Sequence, residues 1–177
     1  MNVYFLRHGF TGLNKEGIFN GQVDEDIIEE GIEAAKEASK IIKDLPLDII
    51  YCSPLLRARH TCEIVNVNNV PVIYDDRLKE RTLGKLDGNK IYEPGFPLDH
   101  YYDYNYKMNI EGAEDVPVFY KRVFEFLDEL KQKDYKNVLI VAHGGNMEAA
   151  YCYFNGIPED GNTFRQINNC EINKYEL

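Results

Sequence analysis

The chain has 177 residues, 44% of them hydrophobic and 28% charged, and carries a formal net charge of −10. That length suits one domain with a buried core, and the composition is that of a soluble globular chain rather than a disordered or membrane one. The acidic balance argues against nucleic acid as a partner, and no apolar run approaches the ~20 residues that span a bilayer, so no membrane association is expected.

The chain opens on an apolar run, Val3-Tyr4-Phe5-Leu6, that reads as a buried strand ending in Arg7, His8 and Gly9. Ligands of open α/β sheets bind in the crevice outside the carboxyl ends of the strands, so this cationic strand end is the first candidate site. With the strand starting at Asn2 there is no room for a secretory signal, and a cytoplasmic protein is expected. Cys52, Cys62, Cys152 and Cys170 show no C-x-x-C spacing and are expected as free thiols.

Residues 10–24 read as a Gly- and Asn-containing loop. Over 29–43, Ile32, Ala35, Ala38, Ile41 and Ile42 recur at helical spacing and predict an amphipathic helix ended before Pro46. A β-branched run over 47–52 predicts a second strand. Ser53 and Pro54 then read as an N-cap and a first-turn proline, opening a helix with Arg57 in its first turn. A short strand over 70–74 leads into the charged segment 75–81. Residues 84–112 lack periodicity and are rich in tyrosine from Tyr101 to Tyr106. A stretch of that length inside a compact domain is a candidate lid, the plain alternative being tyrosines that pack on the domain surface. A second amphipathic helix is expected over 116–131, with Val118, Phe119, Val123, Phe126, Leu127 and Leu130 on its apolar side. Residues 138–142 form a continuous apolar run, as in a strand covered on both faces, and end at His143-Gly144-Gly145. A helix through Met147 and Tyr153 and one or two closing strands in 164–177 complete the chain. Alternating strands and helices argue a single α/β domain over 1–177 with a mainly parallel sheet covered on both sides.

Parallel strands would bring Arg7, His8, Ser53, Arg57, His143 and Gly144 to one edge. Two imidazoles and two guanidiniums in one crevice of an acidic protein make an anion pocket. Phosphate suits it, because a guanidinium can hold two phosphate oxygens and helix N-termini add N–H donors. A neutral imidazole there can attack phosphorus to give a phosphohistidine, and the second can stabilise charge on the equatorial oxygens. The arginines would supply the electrostatics, so no metal and no other cofactor is called for. A leaving alkoxide needs a proton, and Glu80 is the candidate acid if the pocket raises its pKa. Gly9 is expected to let the backbone come close to the phosphate.

At this point the motifs resemble a known family. Arg7-His8-Gly9 with Thr11 and Asn14, then Gly21-Gln22-x-Asp24, then Ser53-Pro54-Leu55-Leu56-Arg57-Ala58-x-x-Thr61 are similar to successive blocks of the histidine phosphatase superfamily, the phosphoglycerate mutase-like group. Leu78-x-Glu80 with Gly84 and Gly88, Gly112-x-Glu114 with Arg122, and Val141-Ala142-His143-Gly144-Gly145 follow in the same order. The resemblance implies a three-layer α/β/α sandwich and a phosphohistidine formed on His8 in each turnover. It further implies phosphoryl binding by Arg7, Arg57 and His143 with Asn14 and the Gly144 amide assisting, and acid–base work by Glu80. The substrate itself would meet Phe10, Gly21, Gln22 and the tyrosine-rich stretch. The expected activity is therefore a phosphatase acting on a small phosphorylated metabolite.

Plainer readings stand beside these roles. Asn14 and Gln22 are also ordinary turn formers, Arg59 and Arg81 could simply be solvated, and His60 and His100 fall outside the motifs and read as surface residues. Family members often carry a glutamate after Arg-His-Gly. Phe10 stands there, which speaks against the runner-up, a phosphoglycerate mutase-type phosphotransferase. A phospho-ligand binder without turnover is the third reading. A homodimer through a sheet edge is left open.

Overall fold

The computed structural model describes residues 1–90 and 98–177; residues 91–97, part of the 84–112 candidate lid, lie outside the described residues. The elements run β1 (Asn2–Arg7), α1 (Gly12–Lys15), α2 (Glu29–Ile42), β2 (Ile49–Cys52), α3 (Leu56–Val65), β3 (Val72–Tyr74), α4 (Val116–Leu130), β4 (Asn137–Ala142), α5 (Gly144–Asn155) and β5 (Ile172–Glu176). The sheet order is β3-β2-β4-β1-β5. All neighbours are parallel except β5, which pairs antiparallel with β1 and closes one edge.

The central position of β4 explains its unbroken apolar run, since both of its faces are covered. Leu139 and Val141 pack with Leu6, Ile50 and Cys52 against α2 and α3, through Ala35, Ala38, Ile42, Ala58, Cys62 and Val65. Val138, Ile140 and Ala142 point the other way and join Val3, Phe5, Ile49 and Tyr51 against α4 and α5, where Phe119, Val123, Phe126, Met147 and Ala150 fill the space. Each such fully buried aliphatic or aromatic side chain contributes roughly 1.5–3 kcal/mol by removal from water. The three-layer α/β/α sandwich follows from this alternation. Among the described residues no helix is long and apolar enough to cross a membrane.

Some local expectations need correction. Ile41 and Val118 stand on the solvent sides of α2 and α4, 61% and 56% exposed, because Ile42 and Phe119, one residue on, already occupy the core-facing direction. Ser53 does not cap α3. The helix starts two residues later behind Leu55, and the Ser53 hydroxyl accepts from the Leu55 amide instead. The loop after β1 contains a turn of helix, α1, held by a reciprocal cap. Thr11 Oγ1 accepts from the Asn14 amide while Asn14 Oδ1 accepts from the Thr11 amide. The closing segment supplies one strand.

Register, not chance, aligns the strand ends. Arg7 lies opposite Ala142 in the β1–β4 pair, and Cys52 opposite Val141 in the β2–β4 pair. The His8 amide bonds the Ala142 carbonyl and the Ser53 amide the Val141 carbonyl, each at 2.9 Å, so the three chains leave the sheet side by side.

Candidate active site

The crevice outside these strand ends is a cavity of about 230 Å³. Arg7, His8, Asn14, Gly21, Arg57, Glu80 and Gly144 line it, seven of the residues expected from the sequence.

His8 is buried, and its tautomer can be argued from its neighbours. Nδ1 sits 2.7 Å from the Gly9 carbonyl, an acceptor only, so Nδ1 carries the proton and Nε2 keeps its lone pair. The Arg57 Nε–H donates toward that Nε2 at 3.3 Å. Burial first, then the Arg57 and Arg7 guanidiniums, hold the His8 pKa well below its ordinary value, so the ring is neutral near pH 7.

Arg57 is fully buried and tethered to the loop after α1, with Nη1 donating to the Val23 carbonyl and Nη2 to the Gly21 carbonyl. Burial pushes its pKa down to about 10, which leaves it cationic at neutral pH. Arg7 donates one Nη1 bond to the Ile167 carbonyl, whereas its buried Nε–H has no partner among the described residues. Gly144, at the first position of α5, would bring a Cβ within 3.8 Å of that same Nε. A helix N-terminus and an unpaired guanidinium N–H thus face one space, which is what an anion requires.

His143 lies behind His8 with ring centroids 5.1 Å apart, fully buried and not part of the cavity wall. Its Nε2 is 2.8 Å from the Ser53 hydroxyl. That oxygen also accepts from the Leu55 amide, and the His143 Nδ1 is buried without a partner among the described residues. Burial, then Arg57, His8 and Arg7, keep His143 neutral as well.

Glu80 is positioned from three sides. Its Oε1 accepts from the Arg81 amide at 2.8 Å and its Oε2 from the Gly145 amide at 3.3 Å. Arg122 holds the loop beneath it, donating to the carbonyls of Arg77, Lys79 and Glu80 while pairing with Glu114 at 2.8 Å. Gly145 has to be glycine, for a Cβ would stand 2.4 Å from Glu80 Oε1 and 2.9 Å from the Phe119 ring.

Other expected residues are placed differently. Phe10 and Gln22 are not among the cavity-lining residues. The Phe10 carbonyl accepts from the Ile28 amide, and its backbone packs against Gly31 of α2. Gln22 donates to the Glu80 carbonyl at 3.0 Å, a positioning contact. The need for glycine at Gly9 also comes from α2, because a Cβ there would lie 2.7 Å from the Gly31 carbonyl. Asn14 reaches the wall with one amide N–H already given to Asn20 Oδ1. Arg81 is buried rather than solvated, donating to the Tyr101 carbonyl with its guanidinium 4.0 Å from that ring's centroid. Of the 84–112 segment, Tyr101 and Met108 form a small buried cluster with Leu83, and Tyr101 and Tyr102 line the cavity.

The residue that the sequence reading missed is Glu148, on α5. It lines the cavity at 8% exposure, and burial together with the nearby Glu80 pushes its pKa up to about 8. A single charge inside the run Met147-Glu148-Ala149-Ala150 was the available signal.

Known proteins share this chain's sequence pattern and fold. The family model described as histidine phosphatase superfamily (branch 1) matches residues 3–177. Phosphoserine phosphatase 1 of Hydrogenobacter thermophilus is 31% identical over 163 residues, covering 89% of this chain and 77% of its own. The 2,3-bisphosphoglycerate-dependent phosphoglycerate mutase of Enterococcus faecalis is 31% identical, covering 88% and 85%. Among solved structures, Bacillus stearothermophilus YhfR superposes with a TM-score of 0.89 at 25% identity, covering 99% of this chain and 91% of its own. The protein belongs to the histidine phosphatase superfamily, and it is a phosphoric monoester hydrolase of that family.

Proposed function

We propose that His8 is the nucleophile and Glu80 the acid–base group in hydrolysis of a small phosphorylated metabolite. The observation that carries this reading is the His8 ring itself. It is neutral, with Nδ1–H fixed on the Gly9 carbonyl and Nε2 turned toward Arg57 at the cavity that Glu80 also lines. His8 Nε2 attacks phosphorus, the P–O ester bond breaks, and Glu80 gives its proton to the departing alkoxide. The Gly9 carbonyl then faces the Nδ1–H of a positively charged phosphohistidine. Water next attacks phosphorus, Glu80 takes a proton from it, the P–N bond breaks and His8 returns neutral. Arg7, Arg57 and the Gly144 amide bind the phosphoryl oxygens, Asn14 assists, and His143, packed behind the His8 ring, backs the nucleophile.

The assignment of Glu80 is tested through the leaving group. A p-nitrophenolate departs without a proton, whereas an alkoxide does not. Glu80→Gln should therefore lose ~10²-fold or more in kcat/KM on an alkyl phosphate and far less on p-nitrophenyl phosphate. Equal losses on both would reject the acid role. Release of inorganic phosphate without isomer from 3-phosphoglycerate would separate hydrolysis from mutase chemistry.

A cytoplasmic location is supported by four free cysteines, and the net charge of −10 supports small anions held locally rather than nucleic acid as partners.

A further inference from the structure

Arg7, Arg57 and His8 line the cavity together with two carboxyls, Glu80 and Glu148. Glu148 is nine-tenths buried, accepts a backbone N–H from Arg165, and makes no ion pair among the described residues. None of the cations around it forms an ion pair with it among the described residues. Arg81 lies on the Tyr101 ring and bonds its carbonyl, the Arg165 guanidinium lies 3.4 Å from the Tyr151 ring centroid, and Arg7 bonds the Ile167 carbonyl. Tyr101 and Tyr102 line the same cavity. A buried carboxyl next to a second one, with aromatic faces around it, is short of a positive charge.

We propose that Glu148 is a substrate-recognition residue that holds a cationic group, so that the preferred substrates are phosphate monoesters bearing an ammonium on the alcohol portion. The inference rests on the phosphatase reading and names its substrate class. An ammonium bound beside Glu148 supplies the counter-charge that no ion pair of the fold provides, and the carboxyl gives its proton to solvent as the ligand binds. A second anion on the substrate meets two carboxyls and is rejected.

The titratable and charged groups facing Glu148 are Glu80, Arg81, Arg7, Arg165, Cys152, Tyr101, Tyr102 and Tyr120. Burial and Glu80 keep this carboxyl protonated up to about pH 8. Recognition of an ammonium should strengthen as pH rises from 6 to 8.5, where a primary amine is still charged.

The experiment compares kcat/KM for O-phosphoethanolamine, n-propyl phosphate and 2-phosphoglycolate between pH 6 and 8.5. Wild type should prefer the amine ester over the propyl ester by about tenfold at pH 8.5, the size of one hydrogen bond between charged groups. The preference should shrink toward pH 6, and phosphoglycolate should fall below the propyl ester. In Glu148→Gln the amine preference should collapse toward one. A wild-type ratio below fivefold at pH 8.5, a ratio flat across the pH range, or a preference retained in Glu148→Gln would each overturn the inference. The wild-type pH dependence decides the matter even if the variant does not fold. Hydrolysis of propyl and p-nitrophenyl phosphate without amine preference defeats the ammonium site alone, whereas no hydrolysis of any ester defeats the phosphatase reading beneath it.

Discussion

Glu148 makes a prediction about stability that needs no substrate. Its carboxyl rises from an ordinary 4.5 to about 8 in the folded protein, through burial and then Glu80. Between those pH values the native state keeps a proton that the unfolded chain has released, so this group's contribution is complete below pH 4.5 and is lost as pH rises through 8. At about 1.4 kcal/mol per pH unit the ceiling is about 5 kcal/mol, and relaxation of the surroundings around the charged carboxyl brings the expectation to roughly 2–4 kcal/mol. Glu148→Gln keeps the shape and cannot ionise. Compared with wild type, it should gain that amount between pH 5 and pH 9, or ~4–16 °C of melting temperature at about 2–4 °C per kcal/mol. His8 and His143 titrate the opposite way below pH 6.5, but they are common to both proteins and drop out of the difference. Thermal or urea unfolding at four pH values gives the comparison. Parallel curves for the two proteins would refute the buried, protonated Glu148.

Further perturbations test the positioning of the site. Gly145→Ala should push the Glu80 carboxyl from its bond to the 145 amide, lowering kcat on alkyl phosphates by ~10²-fold and stability by roughly 1–3 kcal/mol, read by steady-state kinetics and unfolding. Gly31→Ala places a Cβ 2.4 Å from the Phe10 carbonyl, against backbone that cannot turn aside, and should lower the melting temperature by several degrees, ~2–4 °C for each kcal/mol of strain. Arg122→Met frees the loop under Glu80 and should cost about tenfold in kcat on alkyl phosphates but less on p-nitrophenyl phosphate, with phosphoryl transfer to His8 from the latter preserved. Ring-nitrogen NMR should find His8 protonating only below pH 6.5, and a midpoint at or above that value would contradict its burial among arginines.

Much of the candidate site was legible because its residues sit at strand ends, and a strand announces itself by an apolar run. Val3-Phe5 and Val138-Ala142 located His8 and His143, and parallel pairing joined them across the chain. Side-chain partnerships that depend on third elements were not legible. Gly9 and Phe10 stand next to His8 in sequence, yet both answer to Gly31 on α2. Arg81 looks like one more surface charge until Tyr101, twenty residues on, folds over it. Ser53 has the sequence of a helix cap, but the Leu55 backbone stays extended and the hydroxyl serves His143 instead. Glu148 was readable as a lone charge on an apolar helix; what it faces depends on Glu80, which a different loop supplies.

The central claim is that His8 carries the phosphoryl group during turnover. Rapid mixing of the protein with a labelled phosphate monoester, followed by denaturing quench, should trap phosphate that is acid-labile and base-stable, stoichiometric with active sites and absent from His8→Ala. Full turnover by His8→Ala, or a trapped phosphate that survives acid, would contradict the account.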